Sequence, residues 1–152
     1  MDSNTPQSNQ RLELGMSLDN VRRELVENIS NSCPDIRAIW LIGSRANGTD
    51  NAFSDWDFIA FGSENSLEYL KVHCELHLDS VDFLVVLNNN DFRAAWGELE
   101  KTGSVQEWQW VQKSAHLATY VQTKYVEMED GSRFDCSTKS AIKVWPPQSA
   151  AP

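Results

Sequence analysis

The chain has 152 residues, of which 41% are hydrophobic and 23% charged, a composition that suits one globular domain with a proper core. Thirteen Lys and Arg against 22 Asp and Glu give a formal net charge of −9. This argues against a protein that coats duplex nucleic acid, because such proteins need clustered basic residues. Three widely spaced cysteines without a C-x-x-C motif indicate neither a disulfide framework nor a zinc knuckle.

The start of the sequence predicts no membrane or export segment. It is polar, has no apolar core of a signal peptide, and no apolar run in the chain is long enough to cross a bilayer. We therefore expect a cytoplasmic protein without a membrane partner. Residues 1–15 are rich in Ser, Asn and Gln and are predicted to lack fixed structure.

The first regular elements are a helix and a strand. Apolar residues recur at spacings of three and four after Ser17, a predicted N-cap, and Pro34 stops this helix. The apolar run 36–42 then predicts a buried strand. Residues 43–54 form a Gly-, Ser- and Asn-rich connection with room for one helical turn.

The middle of the chain continues with alternating strands and helices. Residues 55–61 and 80–87 predict two further strands, and Ser66 is predicted to cap a helix between them. A helix is predicted over residues 91–101. The sequence thus favours an α+β fold in which helices cover one face of a mixed sheet.

The last third of the chain predicts strands. Trp108, Trp110 and Gln112 alternate with Gln109 and Val111, as residues on the two faces of a strand would. Asp130-Gly131 signals a hairpin between residues 120–128 and 133–137. Residues 141–145 predict one more short strand. The predicted organisation is a disordered segment, a core, a β-rich C-terminal extension of the same domain and a loose tail, over residues 1–15, 16–102, 103–145 and 146–152, respectively.

The most informative residues surround the connection 43–54. A buried strand ends in Gly43-Ser44, and ten residues later Asp55-x-Asp57 opens the next strand. Side chains two apart in a strand point the same way, so both carboxylates face one site. The following strand adds Asp82, and if the two strands are neighbours, the three carboxylates converge.

Three close carboxylates repel one another unless a cation lies among them. Oxygen ligands without His or Cys favour Mg²⁺ over zinc, and Mg²⁺ held there can clamp a triphosphate during attack at phosphorus. Gly43 allows the backbone to approach a phosphate closely, and the Ser44 hydroxyl can donate to it. The residues therefore indicate phosphoryl or nucleotidyl transfer.

This pattern resembles the DNA polymerase β-type nucleotidyltransferase superfamily, and most closely its small stand-alone prokaryotic members, the minimal nucleotidyltransferases. The resemblance covers roughly residues 20–100. The positions that match the pattern are Gly43, Ser44, Ala46, Gly48, Ser54, Asp55, Asp57 and Asp82. Trp56, where a smaller aliphatic residue is common, and the Trp-rich β-like segment from about residue 103 depart from it.

The resemblance implies a role for each matching residue. Asp55 and Asp57 would bind Mg²⁺, and Asp82 would join one metal ion and help deprotonate the acceptor hydroxyl. Gly43 and Ser44 would hold the β- and γ-phosphates of the nucleotide. Two further nucleotide-binding candidates have structural alternatives: Arg45 can be a surface residue, and Ser54 can cap the loop before the strand.

The implied activity is Mg²⁺-dependent transfer of a nucleoside monophosphate, AMP from ATP, to a hydroxyl on a partner in trans. Many minimal nucleotidyltransferases act in this way as antitoxins of a HEPN ribonuclease toxin. Two alternatives stay open: a non-catalytic module of the same fold that acts by contact, and an adenylyltransferase of an aminoglycoside-like polyhydroxyl cation. Oligomerisation also stays open.

Two other patterns have both a structural and a functional interpretation. His73 and His77 have the i, i+4 spacing of a zinc pair, but no third ligand is evident, and a partly buried helix face explains them better. Trp108 and Trp110 favour core packing, with stacking on a nucleobase or contact with a partner as the alternatives.

Overall fold

The computed structural model describes residues 18–97 and 102–147. The predicted disordered segment 1–15 lies outside the described residues, as does all but the first two residues of the predicted tail 146–152. Within the described ranges, no helix combines the length and the hydrophobicity needed to cross a membrane.

The described residues form one mixed sheet of eight strands in the order β5-β4-β3-β2-β1-β8-β7-β6. The pair β2–β3 is parallel and the other pairs are antiparallel. The strands are β1 (Ala38–Ile42), β2 (Trp56–Phe61), β3 (Val81–Leu87), β4 (Asp91–Trp96), β5 (Thr102–Ser104), β6 (Val111–Gln112), β7 (Leu117–Met128) and β8 (Gly131–Trp145).

Helices flank the first half of the sheet. They are α1 (Asn20–Ser32), α2 (Ser44–Asn47), α3 (Glu64–Val72) and a single 3₁₀ turn (Cys74–Leu76). The first helix begins two residues later than Ser17 would place it, because the carboxylate of Asp19 accepts a hydrogen bond from the Arg22 backbone N–H and so caps the helix. Its C-terminal cap is Cys33, directly before Pro34, as the sequence indicates.

The two faces of the sheet are covered differently. On one face, α1 and α3 pack apolar side chains such as Ile29 and Leu70 onto the strands. On the other face no helix among the described residues contributes to the core, and the cover is aromatic, with Trp108 and Trp110 packed beside Trp40 and Tyr120. The α+β fold with helices on one face of a mixed sheet is therefore confirmed.

The predicted helix over residues 91–101 is wrong where the structure describes it. Residues Asp91–Trp96 form strand β4, antiparallel to β3. The chain turns back directly after β3, because Asn88 and Asn89 adopt positive φ angles of 54° and 60°, a conformation that Asn tolerates better than most residues. Phe92 is then buried in the sheet core; residues 98–101 lie outside the described residues.

The cap of α3 is also displaced from its predicted position. Ser63 is the N-cap, and Ser66 occupies the third helical position, where its hydroxyl accepts from the Ser63 backbone N–H in a capping box. Asp35 accepts from Ser66 N–H and from the Ser63 hydroxyl. Although burial alone would raise the pKa of Asp35, these hydrogen bonds hold it below its ordinary value.

The C-terminal strands form one long hairpin. β7 and β8 pair continuously from Leu117 opposite Ile142 to Met128 opposite Gly131, so the turn is one residue earlier than predicted. The predicted strand 141–145 is the end of β8, which pairs with β1. The predicted strand through Trp108 is wrong, because residues 105–109 form turns and only Val111–Gln112 pair with β7.

Candidate active site

Two of the predicted carboxylates lie side by side. Asp57 of β2 is directly opposite Asp82 of β3 in the parallel pair, and paired residues of neighbouring strands point to the same face. That face is the one without helices, because Ile59 and Leu84, two residues further along each strand, belong to its core. Asp82 is buried, at 7% exposure, and Asp57 is half-buried.

The third predicted carboxylate lies further out. Asp55 precedes β2 and is exposed. Within residues 18–97 and 102–147, no three His, Cys, Asp or Glu side chains form a group that could hold a metal ion. The structure therefore brings Asp57 and Asp82 together and leaves Asp55 outside a compact cluster, so its role as a ligand stays a prediction.

Gly43 lies against this pair for a steric reason. Its φ of 76° and ψ of −159° belong to a region that is essentially restricted to glycine. A Cβ at this position would collide with Oδ2 of Asp57. Glycine therefore lets the end of β1 pass close to the carboxylate, whereas the approach of Gly43 to a phosphate stays a prediction.

Tyr120 is a site residue that sequence reasoning missed. Its hydroxyl accepts a hydrogen bond of 3.0 Å from the Gly43 backbone N–H, although the two residues are 77 positions apart. Burial raises the pKa of Tyr120, and the charge of Asp57 raises it further, against the lowering effect of the bond from Gly43. The phenol thus holds the backbone N–H of Gly43, a residue that the resemblance places at the phosphates.

Arg45 binds its own loop in this structure. Its guanidinium donates from Nε and Nη2 to the Ser54 carbonyl oxygen, at 3.3 and 2.9 Å, and from Nη1 to the carboxylate of Asp50 at 3.2 Å. It also lies over the Trp56 ring, 4.4 Å from the centroid. These contacts hold together the two ends of the connection between β1 and β2. A contact between Arg45 and a nucleotide stays a prediction.

Ser44 and Ser54 occupy the two ends of the same connection. Ser44 is the first residue of α2, directly after Gly43. The hydroxyl of Ser54 accepts from the Asn51 backbone N–H at 2.9 Å, which is the loop-capping role considered as its alternative. Ser44 follows the glycine that lies against Asp57, and its contact with a phosphate stays a prediction.

A cavity of about 480 Å³ opens above the carboxylate pair. Gly43, Asp57 and Asp82 line it together with Trp108 and Tyr120. Trp110 is packed in the core instead, with its ring 5.2 Å from that of Trp40. Of the two tryptophans weighed as a stacking surface, Trp108 is the one that lines the cavity.

The histidine pair has no metal-binding arrangement. α3 ends at Val72, so His73 and His77 do not share a helix. A ring nitrogen of His73 lies 2.7 Å from the Tyr69 carbonyl oxygen, and one of His77 lies 2.6 Å from that of Leu70. Both side chains serve local packing.

The chemistry of the carboxylate pair suits a magnesium ion. Mg²⁺ prefers oxygen ligands and is usually bound by one or two protein carboxylates together with substrate phosphates. Asp57 and Asp82 supply such a pair. Because Gly43 has no Cβ, the end of β1 lies close to Oδ2 of Asp57 without a collision. These residues fit a site that binds a metal ion jointly with a triphosphate.

Comparison with known proteins decides the family. A family model described as "Polymerase beta, Nucleotidyltransferase" matches residues 24–105, more than half of the chain. The chain belongs to this nucleotidyltransferase family. The matched residues include Gly43, Ser44 and all three aspartates, and the family and the fold support nucleotidyl transfer as the general activity.

Among solved structures, a candidate nucleotidyltransferase from Sulfolobus solfataricus matches with 21% sequence identity. The match covers 61% of this chain and 91% of that one with a TM-score of 0.40. No curated protein matches the sequence significantly.

Proposed function

We propose that this nucleotidyltransferase moves AMP from ATP to a hydroxyl group of a partner in trans, in a cytoplasmic and Mg²⁺-dependent reaction. The observation that carries the proposal is the pairing of Asp57 with Asp82 beside Gly43, on the face of the sheet that the described helices do not cover. It is the arrangement expected for a family member whose matched region contains these residues.

The roles of the residues follow from their positions. Asp57 and Asp82, joined by Asp55 as the resemblance implies, would hold Mg²⁺, which supplies neutralisation of the triphosphate charge. Ser44 donates its hydroxyl to the β- or γ-phosphate. Gly43 is held in place by Tyr120, and its missing side chain keeps the approach to Asp57 open.

The transfer itself needs one proton acceptor. The acceptor oxygen forms a bond to the α-phosphorus, the bond from that phosphorus to the bridging oxygen breaks, and pyrophosphate leaves. Asp82, the more buried carboxylate, assists removal of the proton from the attacking hydroxyl. Preorganised groups of this kind act mainly by positioning and by electrostatics.

A partner in trans is supported by the outer part of the β7–β8 hairpin. Tyr125 and Phe134 face each other across the hairpin with ring centroids 5.4 Å apart, and they are 53% and 69% exposed. Exposed aromatic side chains of this kind favour contact with another protein. We propose a HEPN-type toxin as that protein, as the minimal nucleotidyltransferase resemblance implies.

The same exposed pair favours a second candidate, an antitoxin that acts by contact alone. The two candidates differ in their need for Asp57. Purified protein is incubated with α-labelled ATP, Mg²⁺ and host lysate, beside Asp57→Asn and, as a control of equal charge change away from both the site and the hairpin, Glu68→Gln, which is exposed on α3. We expect a labelled acceptor with the native chain and with Glu68→Gln, and none with Asp57→Asn.

Either of two results would contradict the enzymatic proposal. The first is equal labelling by Asp57→Asn. The second is full neutralisation of the toxin partner by Asp57→Asn without any labelling by the native chain, which would establish the contact-only antitoxin.

A further inference from the structure

The cavity above the carboxylates has the size and composition of a ligand pocket. Its volume of about 480 Å³ falls within the range of roughly 300–1,000 Å³ that is usual for such pockets. Its lining joins Gly43, Asp57 and Asp82 to aromatic and polar side chains of the later strands. A nucleotide whose phosphates lie at Gly43 and Asp57 therefore has the cavity open to its nucleoside.

One wall of the cavity is aromatic. The Trp108 ring centroid lies 4.8 Å from that of Phe92 and 5.1 Å from that of Tyr120, with the Tyr120 ring nearly parallel at 23°. Phe92 and Tyr120 are buried, and they support Trp108, which is partly exposed and lines the cavity. A flat, supported indole is a stacking surface for a planar ring, and every nucleobase has such a face.

The rim of the cavity carries a positioned carboxylate. Glu107 lines the cavity, and its Oε1 accepts a hydrogen bond of 3.1 Å from the Ser104 hydroxyl. The same hydroxyl accepts from the Glu107 backbone N–H at 3.0 Å, and Ser104 is itself buried. Two bonds to one buried residue hold Glu107 at the rim beside Trp108.

The hydrogen-bonding chemistry of a carboxylate group restricts what Glu107 can bind. An ionised carboxylate only accepts hydrogen bonds. Adenine, cytosine and guanine each present an exocyclic amino group that can donate, whereas uracil flanks its one N–H with two carbonyl oxygens that a carboxylate repels. A carboxylate at this position therefore discriminates between the two kinds of base.

We propose that this cavity is a nucleobase subsite in which Trp108 stacks on the base and Glu107 selects bases that carry an amino group. The inference rests on the proposed nucleotidyl transfer and makes it more specific. The family match ends at residue 105, so Glu107, Trp108 and Tyr120 lie beyond the matched region. Selection of the base is then a property of the segment that follows the matched region.

The test is calorimetric titration with Mg²⁺ and four probes: inorganic tripolyphosphate and the non-hydrolysable α,β-methylene analogues of ATP, CTP and UTP. We expect the ATP and CTP analogues to bind about tenfold or more tightly than the UTP analogue, because the loss of a hydrogen bond to a charged group has an effect of this size. Glu107→Gln should reduce this preference to within about threefold, and Glu129→Gln, the matched control, should preserve it.

Trp108 gives an independent measurement. Trp108→Ala should bring all three analogues to the affinity of tripolyphosphate, and Trp108→Phe should retain part of the difference. Circular dichroism establishes that each variant is folded; if Trp108→Ala does not fold, Glu107→Gln still decides the inference.

The contradicting outcomes separate the subsite from the proposed function. If tripolyphosphate binds as tightly as the nucleotide analogues, or if Glu107→Gln leaves the preference among bases unchanged, the subsite is wrong while nucleotidyl transfer stands. If neither tripolyphosphate nor any analogue binds the native chain, both the subsite and the proposed function are wrong.

Discussion

Gly43 shows how much of the site depends on one missing methyl group. Its conformation is essentially restricted to glycine, and a Cβ there would collide with Asp57. Gly43→Ala should therefore displace the carboxylate and reduce transfer by about 100-fold, since a misplacement of about 1 Å can have this effect. Initial rates of label transfer measure it.

Gly48 provides the matched control for this substitution. It also has a positive φ, 72°, but no atom lies within 4 Å of the position that a Cβ would take. Gly48→Ala should reduce the free energy of unfolding by about 1–2 kcal/mol through backbone strain alone. Its rate of transfer should stay within about twofold of the native rate, and a loss as large as that of Gly43→Ala would show that strain, not the collision, is responsible.

Tyr120 links the stability of the site to pH. Burial, reinforced by the charge of Asp57, raises the pKa of its hydroxyl in the folded chain. The folded state therefore retains this proton more tightly than the unfolded state, so the contribution to stability is complete below the unfolded pKa of about 10. It is lost as the pH rises above that value and through the higher folded pKa.

Tyr120→Phe removes both this titration and the acceptor of the Gly43 N–H. We expect the variant to lose about 1 kcal/mol of unfolding free energy at pH 8, because a partly buried donor is left without its partner. The decrease in stability between pH 9 and pH 11 should be smaller than in the native chain, as urea unfolding at each pH measures. An equal decrease in both would mean that Tyr120 does not titrate with folding.

At the scale of elements, the buried strands could be predicted and strand β4 could not. The apolar runs of β1, β2 and β3 are long enough to indicate buried strands from the sequence alone. The segment Asp91–Trp96 contains two alanines and two charged residues, which suit a helix equally well. Its pairing with β3 makes this segment a strand, since tertiary contacts override local propensity.

The outer part of the β7–β8 hairpin allows a test of partner binding that spares the site. Residues 122–125 and 131–138 are exposed, and Tyr125 and Phe134 are the large aromatic side chains among them. The double variant Tyr125→Ser, Phe134→Ser should keep the native fold and native affinity for nucleotide. Transfer to a protein acceptor should fall by at least tenfold, because exposed aromatic anchors of this kind contribute about 2 kcal/mol or more each to binding.

Val72→Ser is the control for this variant. Val72 is 64% exposed at the end of α3, so the substitution removes exposed apolar surface away from the hairpin. It should leave transfer unchanged. An equal fall in both variants, or no fall in either, would contradict the role of the hairpin in acceptor binding.

At the scale of the whole molecule, the site is assembled where β1, β2 and β3 meet the hairpin. The sequence predicted Gly43, Asp57 and Asp82 together, because their spacing and strand context are contained in the segment that matches the family. The place of Tyr120 in the site could not be predicted from the sequence, because Tyr120 reaches Gly43 only through the pairing of β8 with β1 and of β7 with β8. No local pattern specifies that these strands are neighbours.

The central claim, that the pairing of Asp57 with Asp82 supports nucleotidyl transfer, is tested most directly by the position of the label in ATP. The native chain is incubated with Mg²⁺ and lysate, once with ATP labelled at the α-phosphate and once at the γ-phosphate. We predict that the α label appears on the acceptor and that the γ label leaves as pyrophosphate. Transfer of the γ label instead would identify a phosphotransferase and would contradict the claim.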